Sequence, residues 1–234
     1  MPPQRRLDAP TPWGRRAFEY VKFFELREHH ATYKLLDCGA GPSSFAAEQT
    51  ALGWDVTAVD PTYALDETEI RASVRGGVEW MRGIMVDEKD RFCWDFYGDV
   101  DRVMKLRQEA LDLFLSDYEE GKRCGRYRAG ALPVLDFAPR TFDLALCSHL
   151  LFIYSDYLDL EFHLRALIEL GRVAKETRVF PLMNIDGQRS PYVSAVLDRL
   201  GDAGLDASLE PVDFEFQKGA TSMLVVRDNR SPDC

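Results

Sequence analysis

The stretch Leu35-Leu36-Asp37-Cys38-Gly39-Ala40-Gly41-Pro42-Ser43-Ser44 decides the architecture. An apolar run ends on an acid and meets two glycines one residue apart. Residues 33–37 have the length and character of a buried strand. The glycines permit a sharp turn and let a ligand approach the backbone. Residues 44–49 then read as a helix, which Gly53 ends, and the amides at its start suit a carboxylate or phosphate. Residues 55–59 form a second apolar strand closing on Asp60-Pro61. Strand, glycine turn, helix and strand make a βαβ unit, and such crossovers build parallel sheets.

The turn departs from the dinucleotide fingerprint, because its third glycine position holds Ser44. Asp37, just ahead of the glycines, would oppose a pyrophosphate and suits an ammonium group. Asp60 ends the second strand, where an acid can accept hydrogen bonds from both hydroxyls of a ribose. That role supports a nucleoside without choosing which one.

Working outward, residues 1–12 carry four prolines and read as a flexible arm. A helix is expected over 15–29, with Phe18, Val21, Phe24 (or Phe23) and Leu26 as its apolar stripe. Residues 62–128 interrupt the α/β rhythm and read as a mainly helical insertion over the sheet edge. Its clearest helix covers 101–120, where Val103, Leu106, Ala110, Phe114 and Tyr118 share a face. The aromatic cluster Arg91-Phe92-Cys93-Trp94-Asp95-Phe96-Tyr97 either anchors the insertion or walls a substrate. The sheet resumes at 127–129, with a buried strand at 141–147, a helix at 157–173 and a strand at 178–182. Leu160, Leu164, Leu167 and Ile168 are expected to face inward. Ser190-Pro191 starts a helix carrying Val193, Val196, Leu197 and Leu200. Residues 212–216 alternate apolar and polar, Lys218-Gly219 signals a turn, and 223–226 are apolar again. Two strands so close form an antiparallel hairpin.

These pieces resemble the class I S-adenosylmethionine (SAM)-dependent methyltransferases. The matching motifs are Leu36-Asp37-Cys38-Gly39-Ala40-Gly41, Val59-Asp60-Pro61, Ala131-Leu132-Pro133 and Phe142-Asp143-Leu144-Ala145-Leu146-Cys147-Ser148. The terminal hairpin matches that family's reversed last strand. The resemblance spans about residues 33–228, apart from the insertion. It implies an α/β, Rossmann-like, mostly parallel seven-stranded sheet with an antiparallel last strand and a helical insertion after the second strand. A separate N-terminal arm and helix would occupy 1–32, and a flexible tail 229–234. It further implies that Asp37, Cys38, Gly39, Ala40 and Gly41 line the methionine part of SAM. Asp60 and Pro61 would hold the ribose, and Ala131-Leu132 would lie beside adenine. Many members place an acid before the Leu-Pro pair, whereas this chain has Ala131. Cys147 and Ser148 would border the transferred methyl, since ligands meet the carboxyl ends of such strands. His149 is the candidate general base.

Composition bounds the partners. A net charge of -10 excludes broad binding along a nucleic-acid backbone. Residues 1–34 carry seven basic and four acidic side chains, which leaves a local RNA contact open. The expected acceptor is a small molecule or an RNA. Five scattered cysteines, with no CxxC pair, fit reduced thiols and a cytoplasmic protein. His29, His30 and His163 lack metal spacing, so no metal is expected. No membrane segment is evident. Two other readings stay open: a nicotinamide-dependent oxidoreductase, disfavoured by Asp37, Ser44 and the hairpin, and a non-catalytic module of the same fold.

Overall fold

A computed structural model of the chain describes residues 12–228. Seven strands form one sheet: β1 (Lys34–Cys38), β2 (Asp55–Val59), β3 (Tyr127–Arg128), β4 (Phe142–Ser148), β5 (Ala174–Phe180), β6 (Leu205–Pro211) and β7 (Ser222–Asp228). Their order is β3-β2-β1-β4-β5-β7-β6. β1 to β5 run parallel, and β7 is antiparallel to both β5 and β6. This is the expected Rossmann-like sheet with a reversed last strand. The expected tail, and all of the flexible arm except Pro12, lie outside the described residues.

Six helices flank the sheet: α1 (Ala17–Phe23), α2 (Phe45–Ala51), α3 (Glu67–Asp87), α4 (Val100–Arg123), α5 (Leu160–Val173) and α6 (Val193–Leu200). Strand alternation sorts the core into two layers. Leu35 of β1 and Leu144 and Leu146 of β4 cluster with Tyr20 and Phe23 of α1 and with Phe45 of α2. Their neighbours Leu36, Cys38, Ala145 and Cys147 cluster with Leu164 and Leu167 of α5 and Val196 of α6.

The insertion is a pair of long helices. Asp66 caps α3 through a capping box with Glu69, both bonds measuring 2.9 Å. Asp99 caps α4 by accepting the Arg102 amide at 2.8 Å. The expected α4 stripe is found: Val103, Leu106, Ala110, Phe114 and Tyr118 are all buried. Tyr118 donates its hydroxyl to the carbonyls of Tyr63 and Leu65, tying α4 to the end of β2.

Several expected elements differ. The helix placed at 15–29 is α1 alone, followed by a short 3-10 turn at Glu28–Thr32. Glu25 adopts φ +48°, a left-handed conformation that cannot extend a helix. Phe18 and Val21 are exposed, and the buried side is Tyr20, Phe23 and Phe24. On α5, Ile168 is exposed and His163 and Leu170 are buried instead. The strand placed at 178–182 begins earlier, at Ala174.

The terminal hairpin exists, but its first strand is β6, not 212–216. β6 is a sheet edge whose side chains are mostly half-exposed, so its sequence lacks the alternation that marks a two-sided strand. The alternation at 212–216 has another cause. Val212 and Phe214 are buried from an irregular loop.

The segment before α1 is strapped onto the glycine turn. The Arg15 carbonyl accepts the Ser44 amide at 3.0 Å and the Ser43 hydroxyl at 2.9 Å. A Cβ on Gly14 would lie 2.1 Å from the Pro42 carbonyl oxygen. Gly14→Ala is therefore expected to destabilise the fold by about 1–3 kcal/mol, read as a lower urea midpoint with an unchanged slope.

Candidate functional site

The carboxyl ends of β1, β2 and β4 open into a cavity of about 340 Å³. Gly39 and Gly41 adopt φ +70° and +53°. This conformation turns the loop amides inward. Gly39 and Ala40 donate to the Val59 carbonyl at 2.8 and 3.3 Å, and Gly41 donates to Asp60 Oδ2 at 2.9 Å. Phe45 donates to Ser43 Oγ at 3.2 Å, and Ser44 donates to Arg15. Five amides of the turn and the helix start are thus already committed to the protein. A pyrophosphate would find few donors at this turn.

Asp60 lines the cavity while 8% exposed. Its Oδ1 accepts the Thr62 amide at 2.8 Å and the Thr62 hydroxyl at 2.6 Å. Burial raises its pKa above the usual carboxylate value, although Thr62 and Gly41 oppose that shift. An ionised carboxylate has about four lone-pair sites, so Asp60 can still accept from a ligand beside these partners.

Asp37 stands behind the cavity wall. It shares strand parity with Leu35 and points toward α1. Tyr20 donates its hydroxyl to Asp37 Oδ1 at 3.3 Å, and Oδ2 is buried with no partner. Burial pushes its pKa up to about 8; the Tyr20 hydrogen bond opposes this and the nearby Asp60 carboxylate adds to it. Asp37 is not among the residues that line the cavity, whereas its hydrogen-bond partner Tyr20 is. A cation nearby would lower the Asp37 pKa, so a cationic ligand and the ionised carboxylate would favour each other.

Cys38, Gly39, Ala40, Gly41, Asp60, Pro61, Ala131, Leu132, Ser148 and His149 do line the cavity. Cys147 does not. Its parity sends it into the layer of α5 and α6, where burial pushes the thiol up to about 12. His149 follows Ser148 in a left-handed conformation, φ +53°. Its amide donates to the Phe180 carbonyl at 2.7 Å, and Nδ1 is 2.9 Å from Ser148 Oγ. Burial, and then the guanidinium groups of Arg15 and Arg107, hold its pKa well below 6.5. The imidazole is neutral at pH 7 but weakly basic, a poor match for the expected general base.

Sequence reasoning missed a charged cluster at the same cavity. Arg107 of α4 pairs with Glu19 of α1, and both are buried. Its Nη1 donates to Glu19 Oε2 at 2.8 Å and to the Gly14 carbonyl at 2.9 Å. Tyr97 also donates its hydroxyl to Glu19. Burial alone would raise the Glu19 carboxyl, but Arg107, Arg15 and Tyr97 together hold it below its ordinary value. Arg15 lines the cavity alongside. Its guanidinium donates to the Trp13 carbonyl at 3.3 Å and lies 6.0 Å from the Phe23 ring centre. Burial and the neighbouring Arg107 charge lower its pKa to about 10. The signal for Arg107 was present: it falls between Val103 and Ala110 on the apolar stripe of α4.

The remaining walls come from afar. Trp80, Met81, Ile84 and Met85 of α3 cover one side, and Phe214, Phe216 and Gln217 come from the loop before β7. The aromatic cluster at 91–97 lies in the core and at the cavity. Phe92 and Tyr97 are buried core, and both line the cavity. Arg91 ties the segment after β5 to this cluster by donating to the Ile185 carbonyl at 2.7 Å. Among the described residues no group of three or more His, Cys, Asp or Glu could hold a metal. No helix among them is long and apolar enough to cross a membrane.

The strand order, the reversed β7 and a glycine turn opening at the carboxyl ends define the class I methyltransferase fold. The chain belongs to the family of the uncharacterized protein MJ0045 of Methanocaldococcus jannaschii, with 32% identity over 218 residues, covering 92% of this chain and 94% of that protein. No family model matches the sequence. Among solved structures it is similar to PH0226 protein from Pyrococcus horikoshii OT3, with 12% identity, a TM-score of 0.47 and coverage of 91% and 87% of the two chains. It is also similar to a TehB-like SAM-dependent methyltransferase from Corynebacterium glutamicum, with 14% identity, a TM-score of 0.44 and coverage of 95% and 83%. At such scores these likenesses describe general shape, and the fold is defined by the strand order itself.

The Asp37 environment predicts a pH effect. The folded value of about 8 exceeds the ordinary 3.8, so the folded state holds the proton more tightly than the unfolded chain between those limits. Stability must therefore fall as pH rises through that window. Asp37→Asn, neutral at every pH, is expected to flatten this slope. At pH 9 it should exceed the native protein in stability by on the order of a few kcal/mol, measured by urea unfolding at pH 5 and pH 9.

Proposed function

We propose that the protein binds SAM and transfers its methyl group to a small-molecule or RNA acceptor. The observation that carries this reading is the glycine turn between two carboxylates, with its amides closed onto Val59 and Asp60. Such a turn offers carbonyls and carboxylates to a cationic nucleoside rather than donors to a phosphate. That favours SAM over a nicotinamide dinucleotide. The orphaned Asp37 Oδ2 supports the fit, because a cationic ligand nearby would relieve a buried acid held without a partner.

In this reading Asp60 and Pro61 hold the ribose, Ala131 and Leu132 flank adenine, and residues 38–41 pass beside the methionine part. Asp37 acts through Tyr20 as a field behind that end. SAM, when bound, supplies an already activated methyl on a sulfonium, so the protein's task is alignment and exclusion of water. Ser148 and His149 border the reacting end. His149 serves there as a neutral wall and hydrogen-bonding group rather than as a proton acceptor.

Calorimetry with S-adenosylhomocysteine tests the reading. Binding is expected, and ligand at 100 times Kd should add about 2.7 kcal/mol of stability. Asp60→Asn should weaken binding by about tenfold or more, a change of about 1.4 kcal/mol. Tight NADH binding with no response to S-adenosylhomocysteine would refute the proposal. Transfer of labelled methyl from SAM to separated RNA and metabolite pools tells an enzyme from a non-catalytic module.

A further inference from the structure

The cavity has two ends of different character. Around the glycine turn it is polar. Beyond Ser148 it becomes an aromatic chamber. Phe23 forms its floor, with ring centres 5.1 Å from His149, 5.2 Å from Phe180 and 4.7 Å from Phe214. Tyr97 and Phe216 continue that surface, 4.6 Å apart. Met81 and Met85 of α3 add thioether side chains that adapt to a flat ligand.

Charge in this chamber is unbalanced. It contains two guanidinium groups, Arg15 and Arg107, against one carboxylate, Glu19. Both Glu19 oxygens are engaged by Arg107. Among the described residues no carboxylate forms an ion pair with Arg15. Its main chain is fastened to the glycine turn, but its side chain lies over Phe23, on the aromatic side. Arg107 Nε is also buried without a partner. A half-buried guanidinium that shares its nearest carboxylate with a second guanidinium is under-compensated, and the simplest relief is a ligand that brings an anion.

We infer that the methyl acceptor is a flat, largely apolar small molecule bearing an anionic group, which Arg15 grips at the aromatic end of the cavity. The word acceptor rests on the methyltransferase reading; the anion site itself does not. An RNA fits this chamber poorly, because its walls are apolar and a polynucleotide needs an open basic surface.

The test uses calorimetry on the full chain with three probes of one shape: 2-naphthoate, 2-naphthamide and 2-naphthylmethylammonium. Each is titrated with and without saturating S-adenosylhomocysteine. Naphthoate is expected to bind about tenfold or more tightly than the amide, equivalent to about 1.4 kcal/mol, and the ammonium compound most weakly. Arg15→Gln should abolish the preference for naphthoate, and Arg15→Lys should restore part of it. S-adenosylhomocysteine affinity should change by less than about threefold in both variants, which is under ~0.7 kcal/mol. Thermal melts of each variant establish that it is folded. Equal affinity for naphthoate and naphthamide in the native protein would overturn the inference. So would an Arg15→Gln variant that loses S-adenosylhomocysteine affinity yet keeps the naphthoate preference, because the anion on Arg15 would then be the carboxylate of SAM. Naphthoate preference without any S-adenosylhomocysteine binding would leave the anion site standing and remove the methyltransferase reading.

Discussion

The buried pair between Glu19 and Arg107 is the constraint on which the rest of the site depends. It joins α1 to α4 through two residues 88 apart in sequence. Tyr97 donates to the same carboxylate and the Gly14 carbonyl accepts from Arg107, so two regions remote in sequence, 14–19 and 97–107, are joined here. Breaking such a pair from one side typically costs about 3–5 kcal/mol, because the surviving charge stays buried. The pair therefore does more than add stability. It holds the inserted helices over the sheet, fixes the strap before α1 against the glycine turn, and thereby closes the cavity from two sides. It also leaves Arg15 as the charge without a counterpart.

Much of the fold was legible because local chemistry and global position agree there. The stretch from Leu35 to Ser44 could be read because a buried strand, a forced turn and a helix start leave distinct marks. β4 was equally plain, since a strand covered on both faces is continuously apolar. β6 left no such mark, because an edge strand with half-exposed side chains has no face to protect. Alternation at Val212 and Phe214 then imitated a strand. The two-residue alternation of strand side chains could also have placed Asp37 on the face of α1 and Cys147 on the face of α5. Reading these residues as neighbours of a motif hid that geometry.

The chamber was harder to read than the turn for a different reason. The glycine turn and Asp60 lie within one βαβ unit, so spacing alone brings them together. The chamber walls include residues from 80–85, 92–97 and 214–217, and nothing local in those segments points to a common cavity. Arg107 is the exception. A charge on an otherwise apolar stripe must find a partner, and the only open question was which acid. Glu19, on a helix whose stripe was misjudged through Phe18 and Val21, could not be chosen from sequence.

Arg15 links the two ends of the cavity in a single residue. Its carbonyl receives the Ser43 hydroxyl and the Ser44 amide at the glycine turn, and its guanidinium reaches the aromatic floor. An occupant of the guanidinium and a ligand at the turn would therefore meet the same residue. Thermodynamic linkage makes any coupling between them mutual. To the extent that an anion on Arg15 tightens the strap, it raises affinity at the turn, and a ligand at the turn raises affinity for the anion by the same factor. One residue would then make the two occupants assemble cooperatively, without any movement of a domain.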